Sequence, residues 1–282
     1  MKIFFSLFVF FALNAHGFIP PVSSVLKQIF DSRKTGEILE YVFVHQVGNA
    51  AGGWSQVEER FILEPKGLKF LWKPLNSELF LSGVLEKRTY TVGTDKKIPA
   101  RSLLFLKNFT AVSAFEFRDA LINEKFLKWD QLKQFKDGFD PQGDPQSWDI
   151  KGNYLTHDSI SLVLLPSGPS ISVVGYQDQN SKRTVYFDKA GVGVSKIEWL
   201  DSSEVTSWTF DKLTLNLKEA TFPKRATFIR GGRELIQSEL VTVRTLNRRQ
   251  VADWLQSWQR APKVLVNAPA AEEALIILLG NR

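Results

Sequence analysis

Cysteine is absent from the 282 residues, methionine occurs once and histidine three times. Without cysteine there is no disulfide framework, no thiolate zinc site, no cysteine nucleophile and no residue for lipid attachment. Three histidines without H-E-x-x-H spacing argue against a catalytic zinc. The chain carries no G-x-S-x-G elbow, no Walker loop and no G-x-G-x-x-G turn, so nothing points to a hydrolase elbow or a phosphate cradle. The Asp137–Pro145 loop lacks the alternating ligand spacing of a calcium site. Glu58–Glu59 and Glu272–Glu273 are adjacent pairs, and neighbours on a strand or helix splay apart, so neither makes an acid/base couple. These absences lead to an expectation of no metal, no cofactor and no enzymatic activity. A Ser-His-Asp site built on His157 and Asp158 is the remaining enzymatic alternative.

Long apolar runs are also missing. The longest, Ile3–Leu13, is 11 residues interrupted by Ser6, against the roughly 20 needed to span a bilayer. Lys2 precedes it, and Asn14-Ala15-His16-Gly17 follows with small residues at Ala15 and Gly17. That is the layout of a secretory signal peptide cleaved near Gly17, with an uncleaved anchor as the alternative. The expected organisation is a signal peptide over 1–17, a main domain over 18–249 and a helical tail over 250–282. Export in a Gram-negative host would place the protein in the periplasm.

What is present is a foldable composition, with 44% hydrophobic and 23% charged residues. Phe18–Pro223 carries 25 basic and 25 acidic residues, whereas Lys224–Arg282 carries ten basic and five acidic. The surplus includes Arg230, Arg233, Arg248 and Arg249, and it suggests contact with an anionic surface. The alternative is a solvated face. An export signal argues against nucleic acid as the partner.

Along the chain, Val22–Phe30 has helical spacing and is expected to end near Gly36. Strand patterns follow at 38–47, 56–63, 68–73 and 79–92, with turns at 49–53, 65–67, 74–76 and 93–96 and a suspected bulge at Gly83. Residues 114–135 read as one or two amphipathic helices. Strands resume with Ile160-x-Leu162-x-Leu164 and continue through 171–177, 183–188, 194–200, 205–217, 225–229 and 234–244. Two short helices close the chain near 250–259 and 270–279. Strands in series with helices set aside predict an α+β fold on an antiparallel sheet. Phe70 and Trp72 share a strand face, as do Ile197 and Trp199, and Trp208 and Phe210. A curved sheet lined in this way can enclose an apolar cavity; the alternative is a filled core between sheet and helices.

The order of these motifs resembles the LolA/LolB-like family of periplasmic lipoprotein carriers and receptors. The matching segments are the N-terminal helix, Val44–Val47, Arg60–Trp72 with its Pro65-Lys66-Gly67 turn, Val185–Lys189, Val194–Trp199, Ser207–Asn216 and Thr221–Arg225. The resemblance implies a strongly curved, unclosed half-barrel with helices covering the concave face. It also implies a cavity for the acyl chains of lipids or lipoproteins. Phe70, Trp72, Phe187, Ile197, Trp199, Trp208 and Phe210 would line that cavity. Val25, Leu26, Ile29, Phe30, Phe115, Leu121, Ile122 and Phe126 would form the lid. The position matching the family's lid-latching arginine is Lys69, which lacks a guanidinium fork. The chain is expected to be a monomer, with membrane-bound donor and acceptor proteins as its partners.

Overall fold

A computed structural model describes residues 22–30, 33, 37–49, 52–64, 67–74, 80–128, 160–188, 193–217, 220–263 and 269–282. The expected signal peptide, His157, the Asp137–Pro145 loop and the helical stretch beyond Lys128 lie outside the described residues, as does the expected helix end at Gly36. Among the described residues, no helix is long and apolar enough to cross a membrane.

The chain builds a thirteen-stranded antiparallel sheet that does not close on itself, the half-barrel anticipated from the motif order. Helix α1 (Val22–Phe30) precedes a meander of β1 (Ile38–Gly48), β2 (Trp54–Glu64), β3 (Gly67–Pro74), β4 (Leu81–Glu86), β5 (Thr89–Val92) and β6 (Lys96–Pro99). Helices α2 (Leu104–Thr110) and α3 (Ala114–Asn123) follow. The second meander starts from the far edge with β7 (Ile160–Leu165), β8 (Gly168–Gln177), β9 (Ser181–Asp188), β10 (Val194–Asp201) and β11 (Glu204–Phe210). A small ribbon of β12 (Thr214–Leu217) and β13 (Ala220–Pro223) stands apart. The hairpin of β14 (Arg225–Arg230) and β15 (Arg233–Leu246) then joins the two meanders, with β15 against β1 and β14 against β11. Helices α4 (Arg248–Arg260) and α5 (Pro269–Gly280) close the chain.

Period-two alternation gives the sheet two distinct faces. Tyr41, Phe43 and Val47 of β1, Val57 and Phe61 of β2, and Phe70 and Trp72 of β3 point into the main core. Ile62, Leu71 and Leu246 point the other way, into a smaller cluster with Trp254 of α4. On β15 the inward parity shifts, because Val42 pairs with Thr242 and Phe43 with Leu240, leaving Val241 unopposed. This bulge lets both Leu240 and Val243 face the main core.

One strand expectation is corrected. Gly83 is no bulge; it pairs in regular register with Phe70 and Val92. Its role is close approach, since a Cβ there would meet the Trp72 ring at 2.4 Å and Thr91 O at 2.6 Å. The strand expected at Ile160-x-Leu162-x-Leu164 forms as β7, and its apolar alternation gives no buried face. β7 is an edge strand, and Leu164 is 81% exposed there.

Candidate functional site

The concave face is floored by aromatic rings that cross the strands. Tyr41 stacks on Phe61 at 4.8 Å between centroids, Phe61 meets Phe70 at 5.3 Å, and Phe70 stacks on Trp72 at 5.2 Å. The seven residues expected to line a cavity, Phe70, Trp72, Phe187, Ile197, Trp199, Trp208 and Phe210, are all buried in this one core. Side chains of the protein itself cover them. Phe105 of α2 packs on Trp208 at 4.3 Å, and Phe126 sits edge-on to Trp199 at 5.3 Å. Helix α2 was not legible in the sequence, yet four of its seven residues are leucine or phenylalanine and all four are buried in the main core.

Of the expected lid, Val25, Leu26, Ile29, Phe30, Leu121 and Phe126 are in the core, and Ile122 packs partly buried against it. Phe30 stacks on Phe117 at 4.5 Å. Phe115 is corrected: it is 66% exposed and lies beneath the Arg118 guanidinium. Two residues along a helix turn about 200°, so a stripe running through Phe117 and Leu121 puts Phe115 on the far side. Lys69 is not on the concave face. It pairs with Glu64 at 2.6 Å and lies over Trp258 of α4.

A different arginine ties the lid down. Arg33, just after α1, is sandwiched between the Phe30 and Phe222 rings at 4.7 Å each. It donates to Thr221 O at 2.8 Å and to Asn108 O of α2. Burial pulls its pKa down to about 10, so it remains a cation at neutral pH.

Helix α5 is the element that most changes the site. It is apolar almost all round, and Ala274, Leu275, Leu278 and Leu279 are buried in the main core. The segment ends in Arg282, whose side chain is 0% exposed. Trp208 Nε1 donates to Asn281 O at 3.0 Å, and Ser102 N donates to Arg282 O at 2.6 Å. Arg282 Nη1 donates to Glu59 Oε1 at 2.7 Å, and the guanidinium lies 4.8 Å from the Phe105 ring centre. Trp72 Nε1 donates to the same carboxylate oxygen at 2.6 Å. His45 Nε2 lies 2.9 Å from Arg282 Nη2 and 3.2 Å from Glu59 Oε2; a guanidinium can only donate, so with Nε2 accepting from Arg282 the Nδ1–H donates to Ser238 Oγ at 2.8 Å.

The electrostatics follow from this geometry. Burial lowers the His45 pKa, Arg282 lowers it further, and it falls to about 4. Burial alone would raise Glu59, but the Arg282 guanidinium outweighs it and holds the carboxyl at about 2. The site is therefore a neutral imidazole beside a carboxylate–guanidinium pair, set into a greasy interior. Tyr90 Oη is buried beside Arg282, and each acts on the other's charge. The His45–Glu59 signal was present in the sequence: each occupies an inward position in an otherwise apolar alternation, His45 between Phe43 and Val47 and Glu59 between Val57 and Phe61. The adjacent Glu58 faces outward and binds Arg60 at 2.7 Å, as strand geometry requires. Among the described residues no group of three or more acidic or histidine side chains could hold a metal.

The basic surface is not one patch. Arg230 and Arg233 flank the β14–β15 turn, whereas Arg248 and Arg249 follow the other end of β15. Fourteen residues of strand separate these ends by about 45 Å. Arg230 is also paired with Glu204 at 2.9 Å.

No protein-family model matches the chain, and no curated protein does. Among solved structures it is similar to an outer membrane lipoprotein-sorting protein domain from Vibrio parahaemolyticus, at 10% identity, over 83% of this chain and 97% of that one, with a TM-score of 0.44. It is also similar to an uncharacterised conserved protein from Thermus thermophilus, at 13% identity, over 86% and 96% of the two chains, with a TM-score of 0.28. MucB of Pseudomonas aeruginosa in complex with MucA gives 11% identity, over 81% and 59%, with a TM-score of 0.27. The strand order and the helical layer described above define the architecture independently of these similarities.

Proposed function

We propose that the protein is an exported, non-enzymatic carrier that binds acyl chains of lipids or lipoproteins on its concave face, in competition with its own helix α5. The observation that carries this reading is the nature of the cover. The aromatic floor lies beneath a helix that follows the last strand in the chain and presents leucines to the core. A dodecyl chain buries eleven methylenes and a methyl at about 0.8 kcal/mol each, the same order as three leucine side chains at roughly 1.5–3 kcal/mol each. A chain of that length can therefore compete with Leu275, Leu278 and Leu279 for the same surface. Handover would run between membrane-bound donor and acceptor proteins. Mass spectrometry of lipid extracted from protein purified from its native envelope tests the reading, with displacement of a bound fluorescent fatty acid as a second assay. Absence of both co-purifying lipid and displacement defeats it.

A second reading is favoured by how fully the interior is occupied. Between β4–β6 and α5 there is a cavity of only about 210 Å³, lined by Leu81, Val92, Ile98, Lys96, Leu275 and Ile276. That is below the roughly 300–1,000 Å³ of small-molecule sites. On this reading the protein is an interaction module with a filled core that acts through its basic surface. Charge reversal at Arg230, Arg233, Arg248 and Arg249 would then abolish binding to anionic vesicles, while fatty-acid binding stays absent.

A further inference from the structure

We propose that the concave site selects amphiphiles with a cationic head group, and that Glu59 is the group that receives the cation. This rests on the acyl-binding reading above and names the ligand class of the same site. The argument begins with what α5 places there. Its inward stripe is apolar through Ala274, Leu275, Leu278 and Leu279, and is followed by one positive charge, Arg282. The resident segment is therefore itself a greasy chain carrying a cation, seated with that cation on a carboxylate that has no exposure to solvent.

An apolar chain alone could not replace it without cost. Glu59 would keep the Trp72 hydrogen bond but lose its counter-charge inside a low-dielectric pocket, and an unpaired buried carboxylate is strongly disfavoured. A fatty acid would add a second negative charge beside the first. A chain ending in a guanidinium or ammonium restores the pair. His45 Nε2, which accepts from Arg282 Nη2, offers such a head group a second acceptor. The Tyr90 hydroxyl lies beside the resident cation and offers such a head group a further polar contact.

The test compares three probes of equal chain length below their critical micelle concentrations: dodecylguanidinium, dodecyl maltoside and dodecanoate. Full-length protein is titrated with each. Affinity and hydrogen-exchange protection of residues 269–282 are both read. Dodecylguanidinium is expected to bind about tenfold more tightly than either other probe and to strip protection from residues 269–282. Arg282→Gln removes the internal competitor and should tighten dodecylguanidinium by about tenfold again, and adding Glu59→Gln should shrink the head-group preference to within about twofold. Dodecanoate binding as tightly as dodecylguanidinium, with Glu59→Gln leaving the preference unchanged, overturns the head-group assignment and leaves the acyl-binding reading standing. Binding of none of the three probes, in a variant whose residues 269–282 exchange freely, overturns both. Should Arg282→Gln fail to fold, the probe ranking and exchange pattern of the unmodified protein decide the matter alone.

Discussion

Helices α4 and α5 follow one another in the chain and lie on opposite faces of the same sheet. Helix α4 is strongly amphipathic, buries Trp254, and rests on the outer cluster of Ile62, Leu71 and Leu246. Its N-terminus carries a capping box, with the Asn247 side chain accepting from Gln250 N and the Gln250 side chain accepting from Asn247 N, each at 2.9 Å. Helix α5 has almost no polar stripe and buries four residues in the main core. Each helix region engages a buried glutamate on a neighbouring strand. Trp254 Nε1 donates to Glu40, which is also bound by the half-exposed Arg244, whereas the partner of Glu59 is wholly buried. The comparison separates two kinds of cover. A helix with one apolar stripe seals the outside of a sheet and keeps its charges wet. A helix that is apolar all round must go inside, and whatever charge it carries must bring a partner.

The largest expected effect falls on the buried pair. Arg282→Ala leaves Glu59 unpaired and should cost about 3–5 kcal/mol in denaturant unfolding. Arg230→Ala, in an exposed pair, should cost about 1 kcal/mol or less. Similar losses would show that α5 is not seated as described. Next, Leu278→Ala should cost about 2–5 kcal/mol, and the partly buried Leu255→Ala of α4 clearly less.

Acid should act on the concave side. His45 titrates near 4 in the fold against an ordinary 6.5, so the unfolded chain binds more protons between those values. Stability must therefore fall as pH drops from 6.5 to 4, by on the order of 3 kcal/mol. Glu59, depressed from 4.5 to about 2, continues the loss below pH 4.5. A melting-temperature profile in His45→Gln should be flatter between pH 6.5 and 4; an unchanged slope would place the titration elsewhere. Gly83→Ala touches both faces at once, because its Cβ would strike Trp72 within and its carbonyl accepts from Trp258 of α4 at 3.2 Å. A loss of about 1–3 kcal/mol is expected. Asn247→Ala should cost only about 1 kcal/mol and should leave fatty-acid binding unchanged.

How much of this could be read from the chain differs by element. The strands of both meanders were legible because one wetted and one greasy face force period-two alternation, as in Leu68, Phe70 and Trp72. Helix α1 was legible for the same reason at helical period. Helix α2 was not: Leu104–Thr110 is too short and too evenly apolar to show a stripe. Phe115 shows the opposite failure, since its angular position on the helix, not its apolar character, decides its exposure. The family's latching position falls on Lys69, but the residue that holds the lid is Arg33, which no sequence pattern marks.

Alternation and composition by themselves determined the α+β antiparallel architecture, the inward aromatic floor and the absence of thiol chemistry. These are local or additive properties, fixed by which side of a strand each residue occupies. Tertiary structure alone decided that α5 occupies the concave space and that Arg282 meets Glu59 across 223 positions of sequence. It also decided that the basic residues at 230–233 and 248–249 end up far apart. Those outcomes depend on where a completed sheet leaves room and on the free energy of pairing a charge out of water, neither of which any single stretch of sequence contains.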